Sequence, residues 1–226
     1  MAFVLNFKNS PLPNPPAEFD AQYVRQLIRV LEIYFGQLDS WNLQLYQALT
    51  GVTGNNIVLP HIAASDSTDQ IAGGNNTPTV VEWNTLDSGF GWTLNAPGSA
   101  TSDFAGVYKI TYSLQFINTA NAIHYVTVWL KVNNNDVPNS STIFHVPARK
   151  SASAGEEGYL VAYSEVTFEV AAGDEIELYW ATDLAGNPTT PTNGVYMFHD
   201  AAQTTPYARP AVPSAIGSIT YVSATT

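Results

Sequence analysis

The side chains best suited to chemistry in this sequence are four histidines, which stand in separate segments. His61, His124, His145 and His199 form no pair at a metal-ligand spacing such as His-x-x-x-His. Cysteine is absent, so disulfides and thiolate metal sites are excluded. We interpret the histidines as ordinary surface or turn residues and expect no catalytic residue, no metal and no cofactor.

The carboxylates give only a weak alternative to that interpretation. Asp66 and Asp69 lie in one acidic loop, where hard oxygen ligands could hold calcium. No phosphate-binding loop, nucleophile elbow or dinucleotide-binding turn occurs. A carboxylate pair for glycoside cleavage could form only by meeting in the fold, and no spacing in the sequence indicates one. The sequence therefore predicts a protein that is not an enzyme.

Charge and hydropathy exclude two classes of partner. The formal net charge is -11, from 8 basic and 19 acidic residues, and such a surface repels phosphate. We therefore expect no nucleic-acid binding. No apolar run reaches the length of a membrane span, so no membrane insertion is expected. The N-terminal stretch, MAFVLNFKNS, has no cationic residue before its apolar run and no cleavage site of a signal peptide, so ordinary secretion is not expected.

Residues 51–226 have the texture of an antiparallel β fold. Short β-branched and aromatic runs alternate with clusters of Gly, Asn, Pro and Ser, which indicates a sandwich or barrel. Turns are predicted at Asn133–Asp136 and Ala172–Asp174. The clearest predicted strands span residues 107–117, 124–132, 159–170, 175–182, 195–199 and 215–222.

One predicted strand has large aromatic residues on both of its faces. Val126, Val128 and Leu130 alternate with Tyr125 and Trp129, so one face belongs to the core and the other keeps two aromatic rings. Two rings are more than a solvated face usually carries. We take Tyr125 and Trp129 as the candidate trimer face.

Residues 17–50 are predicted to form an amphipathic helix. Asn14 can cap it, and Pro15 and Pro16 are tolerated in its first turn. Apolar residues then recur at alternating steps of three and four, the spacing of a self-associating heptad seam. Three interpretations remain: a trimeric bundle, a helix docked on a partner, or a helix packed on its own domain. The seam consists of Val24, Leu27, Leu31, Tyr34, Leu38, Trp41 and Leu45.

Residues 1–16 are predicted to form an extended docking arm. Phe3, Leu5 and Phe7 repeat at strand period, and the run PLPNPP that follows cannot enter a helix interior or a central strand. Such an arm could add a strand to another protein's sheet edge. The alternative is a frayed tail.

Two motifs resemble a known jelly-roll family. Gly106-Val107-Tyr108-Lys109-Ile110-Thr111-Tyr112 and Ser214-Ala215-Ile216-Gly217-Ser218-Ile219 are similar to strands of complement recognition heads and tumour-necrosis-factor ligands, with Ile110 and Ile216 in place of phenylalanine. Both isoleucines are expected to keep the core role of that phenylalanine. The resemblance implies an antiparallel jelly-roll sandwich and a homotrimer.

A further resemblance is to structural proteins of bacteriophages. It implies a trimer on the virion, on the capsid exterior, made in the host cytoplasm, with the major capsid protein as partner. The first hypothesis is a capsid decoration or cement protein that docks by its arm and helix. The similar stretches cover residues 14–39, 65–85, 128–142, 168–183 and 210–216.

The alternative hypothesis is a receptor-binding tip or short tail fibre that recognises a host glycan. Trp83, Phe90 and Trp92 could stack on a sugar, although their type favours packing in the core or an interface for each. The copy number per virion would separate the two hypotheses, because decoration proteins number in the hundreds.

Overall fold

The chain consists of two units, residues 1–58 and residues 59–226, each described here by itself. The computed structural model describes residues 20–50, 58–96, 98–151, 156–189 and 193–225, with side chains in the helix up to residue 42. The predicted arm, including Phe3, Leu5 and Phe7, therefore lies outside the described residues.

The first unit contains one long helix, α1, which spans Ala21–Thr50. Asp20 caps it: the side-chain carboxylate accepts a hydrogen bond from the backbone N–H of Gln22 at 2.8 Å. The helix begins later than residue 17, and its cap is Asp20 and not the predicted Asn14. It runs through Gly36 without a break, and its end at Thr50 agrees with the prediction.

The second unit is a sandwich of two antiparallel sheets. The six-stranded sheet contains β1 (His61–Asp66), β3 (Thr85–Phe90), β6 (Gly106–Asn118), β10 (Gly158–Val170), β12 (Val195–Met197) and β13 (Ala215–Ser223). The seven-stranded sheet contains β2 (Thr79–Val80), β4 (Trp92–Asn95), β5 (Ser99–Ser102), β7 (His124–Val132), β8 (Asn135–Asp136), β9 (Thr142–Val146) and β11 (Glu175–Thr182).

The strand order is that of a jelly roll. The first sheet runs β10-β6-β13-β1-β3, with β12 also on β6, and the second runs β4-β5-β11-β7-β8, with β2 on β11 and β9 on β7. The first and last strands of the sandwich, β1 and β13, are therefore neighbours at the centre of one sheet. The predicted fold class is confirmed: a mainly β, antiparallel jelly-roll sandwich preceded by one N-terminal helix.

The core is formed by the inward residues of the longest strands. On β6, alternate side chains from Tyr108 to Phe116 are buried, and on β11 Trp180 is fully buried and packs against Phe116 with ring centroids 5.4 Å apart. Tyr108 lies edge-on to Trp92 at 5.1 Å and donates its hydroxyl to the carbonyl oxygen of Phe104. Aromatic pairs of this geometry add to the stabilisation from burial alone.

Ile110 and Ile216 differ in where they lie. Ile110 is 4% exposed, so its predicted core role is confirmed. Ile216 is 46% exposed, so the same prediction for it was wrong. Side chains alternate along β13, and the inward positions belong to Ala215, Gly217 and Ile219, which leaves Ile216 on the outer face.

Both predicted turns are present. Asn133 and Asn134 have φ of 49° and 66°, the left-handed pair that a tight hairpin between β7 and β8 requires. Gly173, before β11, has a φ of 88°, which favours glycine. These positions fix the register of the strands that carry the outer faces.

Candidate functional surfaces

The outer face of the six-stranded sheet carries a strip of exposed apolar side chains on its edge strand. Tyr159, Val161 and Tyr163 of β10 are 51%, 56% and 60% exposed. They alternate with inward residues such as Ala162, so all three share the outer face. We call these three residues the β10 strip. Long apolar edge strands invite pairing with another chain, so this strip is a candidate contact surface.

The β10 strip borders a row of outward residues that contains two serines. Tyr163 is opposite Ser113, Ser113 is opposite Ile216, and Ile216 is opposite Ser65, so one cross-strand row leads from the edge to the middle of the sheet. Serine projects little from a sheet, whereas Ile216 is 46% exposed. The row thus leaves room for a bulky side chain of another subunit at Ser113 and at Ser65, on either side of the protruding Ile216.

The outer face of the seven-stranded sheet carries the two residues predicted as the trimer face. Tyr125 is 43% exposed and Trp129 is half-buried, and both point away from the core as expected. Trp129 is the register partner of Tyr179 on β11, and their ring centroids are 5.9 Å apart at 34°. No observation here tests whether this face forms the trimer contact, so that assignment stays a prediction.

Polar contacts hold this aromatic pair in place. The indole N–H of Trp129 donates to Asp136 Oδ1 at 2.8 Å. Lys131 Nζ is 4.4 Å from the ring centroid of Tyr179 and 3.7 Å from Asp136 Oδ1. Burial, and then the negative charges of Glu177 and Asp136, raise the pKa of the Tyr179 hydroxyl, so it stays protonated at neutral pH. Trp129, Tyr179, Lys131 and Asp136 are named here the β7–β11 cluster.

A histidine and an aspartate meet where β7 begins and β11 ends. His124 Nδ1 and Asp183 Oδ2 are 2.9 Å apart, and Asp183 Oδ1 accepts the backbone N–H of Tyr125 at 3.0 Å. Burial by itself would raise the pKa of Asp183, but the hydrogen bonds from His124 and Tyr125 outweigh it and lower that pKa. No spacing in the sequence indicates this pair, because 59 residues separate the two positions.

His61, the backbone of His199 and the acidic loop have structural contacts, and His145 is exposed on β9. His61 Nε2 is 3.2 Å from Ser88 Oγ, and Asp69 Oδ1 accepts the backbone N–H of His199 at 2.8 Å. Asp66 is buried and accepts hydrogen bonds from the backbone and hydroxyl of Thr68. Within the part of the chain that the structure describes, no group of three or more His, Cys, Asp or Glu side chains could hold a metal ion.

The three aromatic residues considered for sugar stacking lie in different environments. Trp92 is 7% exposed and belongs to the core. Trp83 is half-buried and packs over the backbone of Gly217, where an added Cβ would lie 2.7 Å from the indole ring. Phe90 is 45% exposed and stacks on Phe104 at 6.2 Å. They do not form one platform.

The predicted helix seam lies on α1 as a stripe of exposed and half-buried side chains. Leu31 and Leu38 are each 39% exposed, and Val24 and Leu27 are half-buried. Tyr34 and Trp41 are half-buried as well, while the side chain of Leu45 lies outside the described ones. Ile33 and Phe35, on a second stripe, are 50% and 62% exposed. Among the described helical residues, no segment is long and apolar enough to cross a membrane.

Comparison with solved structures gives a likeness at the level of the fold. The chain is similar to the globular domain of a zebrafish complement 1qA protein, with 13% sequence identity, a TM-score of 0.43, and coverage of 74% of this chain and 99% of that chain. No family model matches the sequence, and neither does any curated protein. The fold assignment rests on the strand order and register described above.

Proposed function

We propose that this chain is a non-enzymatic virion structural protein, a homotrimer that decorates or cements a bacteriophage capsid. The sequence stretches that resemble phage structural proteins supply the virion setting and the major capsid protein as partner. The observation that carries self-association is the β10 strip, with its three exposed apolar side chains on an edge strand. The helix seam and the predicted arm supply the other contacts.

The geometry of the β10 strip favours a closed ring over a two-fold dimer. The strip lies at the edge of the six-stranded sheet, whereas the small residues Ser113 and Ser65 lie toward its middle. A contact that joins the edge of one subunit to the middle of the next is heterologous, and such contacts form a ring when the rotation between subunits closes after three copies. Burial of each large apolar side chain contributes about 1.5–3 kcal/mol.

The helix seam is consistent with the same symmetry. Leu31 and Leu38 are one heptad apart on one stripe of α1, which is the spacing that a parallel bundle needs. Three helices joined along this stripe would cover side chains that are now exposed. The two contacts would then reinforce each other, because each raises the effective concentration for the other.

The predicted arm would attach the trimer to the capsid. If the arm is extended as predicted, Phe3, Leu5 and Phe7 would share one of its faces and add a strand to a sheet edge of the shell. Three arms on one trimer bind together, so modest single contacts give tight attachment. A clamp across neighbouring capsid subunits would raise the pressure and temperature that the shell withstands.

Removal of the arm tests this role. We expect protein lacking residues 1–16, or carrying Phe3→Asp with Leu5→Asp and Phe7→Asp, to remain a folded trimer that no longer binds capsids stripped of the native protein. The matched control is Asn6→Asp, which adds a charge on the opposite face of the arm. Full-length protein should restore the heat resistance of stripped capsids, and the arm variants should not.

The alternative is a receptor-binding tip or short tail fibre that recognises a host glycan, and the β7–β11 cluster favours it. In that case neither the full-length nor the truncated protein changes capsid heat resistance, and residues 59–226 compete with phage for adsorption to host cells. Competition without any effect on capsid stability would overturn the decoration proposal. A copy number of a few dozen per virion would do the same.

A further inference from the structure

The aromatic pair on the seven-stranded sheet has the geometry of a small-ligand platform. Trp129 and Tyr179 are directly opposite on adjacent antiparallel strands, with centroids 5.9 Å apart and planes tilted by 34°. Both residues are half-buried, so each is seated on the sheet and keeps part of its surface in solvent. Tyr125, on the same face of β7, extends the aromatic surface along the strand.

The platform is held before any ligand arrives. Asp136 fixes the Trp129 indole through its N–H at 2.8 Å, and Lys131 links Asp136 to the face of Tyr179. Side chains held in this way lose little rotational freedom on binding, which lowers the entropic cost of complex formation. Rings that serve only as apolar filler do not need polar anchors.

The charges around the platform exclude two ligand classes. Glu177 faces Lys131 across the strands, and Glu175 lies on the same side of β11, so Asp136, Glu177 and Glu175 surround a single lysine. An anionic ligand would be repelled by these carboxylates. A cationic ligand would compete with the Lys131 ammonium already placed over the ring of Tyr179.

An apolar protein partner is also disfavoured on this face. Docking such a partner over Trp129 would bury the Lys131–Asp136 pair and Glu177, and the desolvation of charges is costly. Burial and the nearby charge of Glu175 already raise the pKa of Glu177. The remaining class is a neutral molecule with one apolar face and many hydroxyl groups.

We propose that the outer face of the seven-stranded sheet binds a neutral saccharide at Trp129 and Tyr179. The C–H face of a pyranose ring stacks on the indole, and its hydroxyl groups donate to the carboxylates of Asp136 and Glu177. This site is independent of the capsid role, since it uses neither the arm nor the β10 strip.

Titration with defined oligosaccharides tests the proposal. The probes are neutral hexasaccharides of glucose, mannose and galactose, with heparin hexasaccharide and hexalysine as the anionic and cationic comparisons. Binding to the full-length protein is followed by calorimetry and by saturation-transfer NMR. We expect at least one neutral probe to bind at millimolar concentration or below and the two charged probes not to bind.

The variants then place the site. Trp129→Ala should lower the affinity for the neutral probe by roughly tenfold or more, a loss typical of a removed aromatic contact. Tyr179→Ala should lower this affinity as well. The matched control is Phe90→Ala, which removes an exposed ring from the other sheet and should leave affinity unchanged.

Three results would overturn the proposal. The first is that no neutral probe binds, and the second is that a charged probe binds instead of the neutral ones. The third is that Trp129→Ala binds the neutral probe with the same affinity as the unaltered protein. Circular dichroism and thermal unfolding of each variant identify a folding defect. If Trp129→Ala proves unfolded, the comparison of Tyr179→Ala with Phe90→Ala decides the matter.

Discussion

The two outer faces of the sandwich hold their aromatic side chains in different ways. On the six-stranded sheet, Val161 and Tyr163 are more than half exposed, and their register partners on β6 are Gln115 and Ser113. On the seven-stranded sheet, Trp129 and Tyr179 are half-buried and anchored by Asp136 and Lys131. Exposed apolar side chains whose register partners carry no charge gain most from burial against protein, whereas anchored rings among carboxylates suit a small polar ligand. One fold thus supports two kinds of surface.

The largest expected effect comes from charging the β10 strip. Val161→Asp with Tyr163→Asp should convert the trimer to monomers at micromolar concentration, because burying unpaired charges in the contact costs several kcal/mol per subunit. Sedimentation velocity and native mass measurement would report the change, while circular dichroism should show an intact sandwich.

The matched variant for that experiment is Tyr125→Asp, on the other sheet. It should leave the trimer intact. If Tyr125→Asp dissociates the trimer and the β10 variant does not, the roles of the two faces are reversed, and Tyr125 and Trp129 form the trimer face.

The next effect concerns the helix seam. Leu31→Asp should weaken association of α1 by several kcal/mol, because it places an unpaired charge in an apolar seam. The melting temperature and the affinity for particles should both fall, although the β10 strip should still hold the protein together as a trimer. Ser40→Asp, an exposed position outside the seam, is the control. If Leu31→Asp matches the unaltered protein in both assays, the helix is a passive linker.

A substitution in the interior of the sandwich should alter the stability of the fold without changing either outer face. Gly217 lies under Trp83, and a Cβ there would be 2.7 Å from the indole, so Gly217→Ala should destabilise the fold by about 1–3 kcal/mol. Chemical denaturation measures this loss, and Thr220→Ala on the same strand is the control. Adding Trp83→Leu to Gly217→Ala should recover part of the stability; no recovery would mean that strain arises elsewhere.

The sequence predicted the elements that have strong local signals. β7 and β11 were predicted at their observed ends, and β6, β10 and β13 to within one residue, because each is long and rich in β-branched and aromatic residues. Short strands such as β5 (Ser99–Ser102) and β8 (Asn135–Asp136) lack that composition and form through their neighbours. The helix start was placed too early, since three residues suited to a cap or first turn precede Asp20.

The surfaces were harder to predict than the strands. Period-two alternation in residues 159–170 was visible, but only the sheet order shows that β10 is an edge strand, which is what makes its outer residues a candidate contact. The partnership of Trp129 with Tyr179 likewise depends on register between strands 50 positions apart in the chain. Ile216 was assigned to the core because it replaces a phenylalanine of the family motif. The inward positions of β13 are the neighbouring Ala215 and Gly217, so the side-chain alternation places Ile216 on the outer face.

The smallest expected effect concerns the contacts of Asp183, which lie at the Tyr125 end of the outer face of the seven-stranded sheet. Asp183 accepts hydrogen bonds from His124 and from the backbone N–H of Tyr125, and these hold its pKa below the ordinary value. A depressed carboxylate pKa stabilises the folded state above the unfolded pKa of about 3.9, and this stabilisation is lost as pH falls through the folded pKa. Asp183→Asn should therefore cost about 1 kcal/mol at neutral pH, and the cost should shrink in acid. Denaturation curves collected from pH 7 to pH 3 measure this difference, with the exposed Asp87→Asn as control. A cost that stays constant down to pH 3 would show that the contact acts through packing and not through its charge, and the end of the face would then be held by β7–β11 pairing alone.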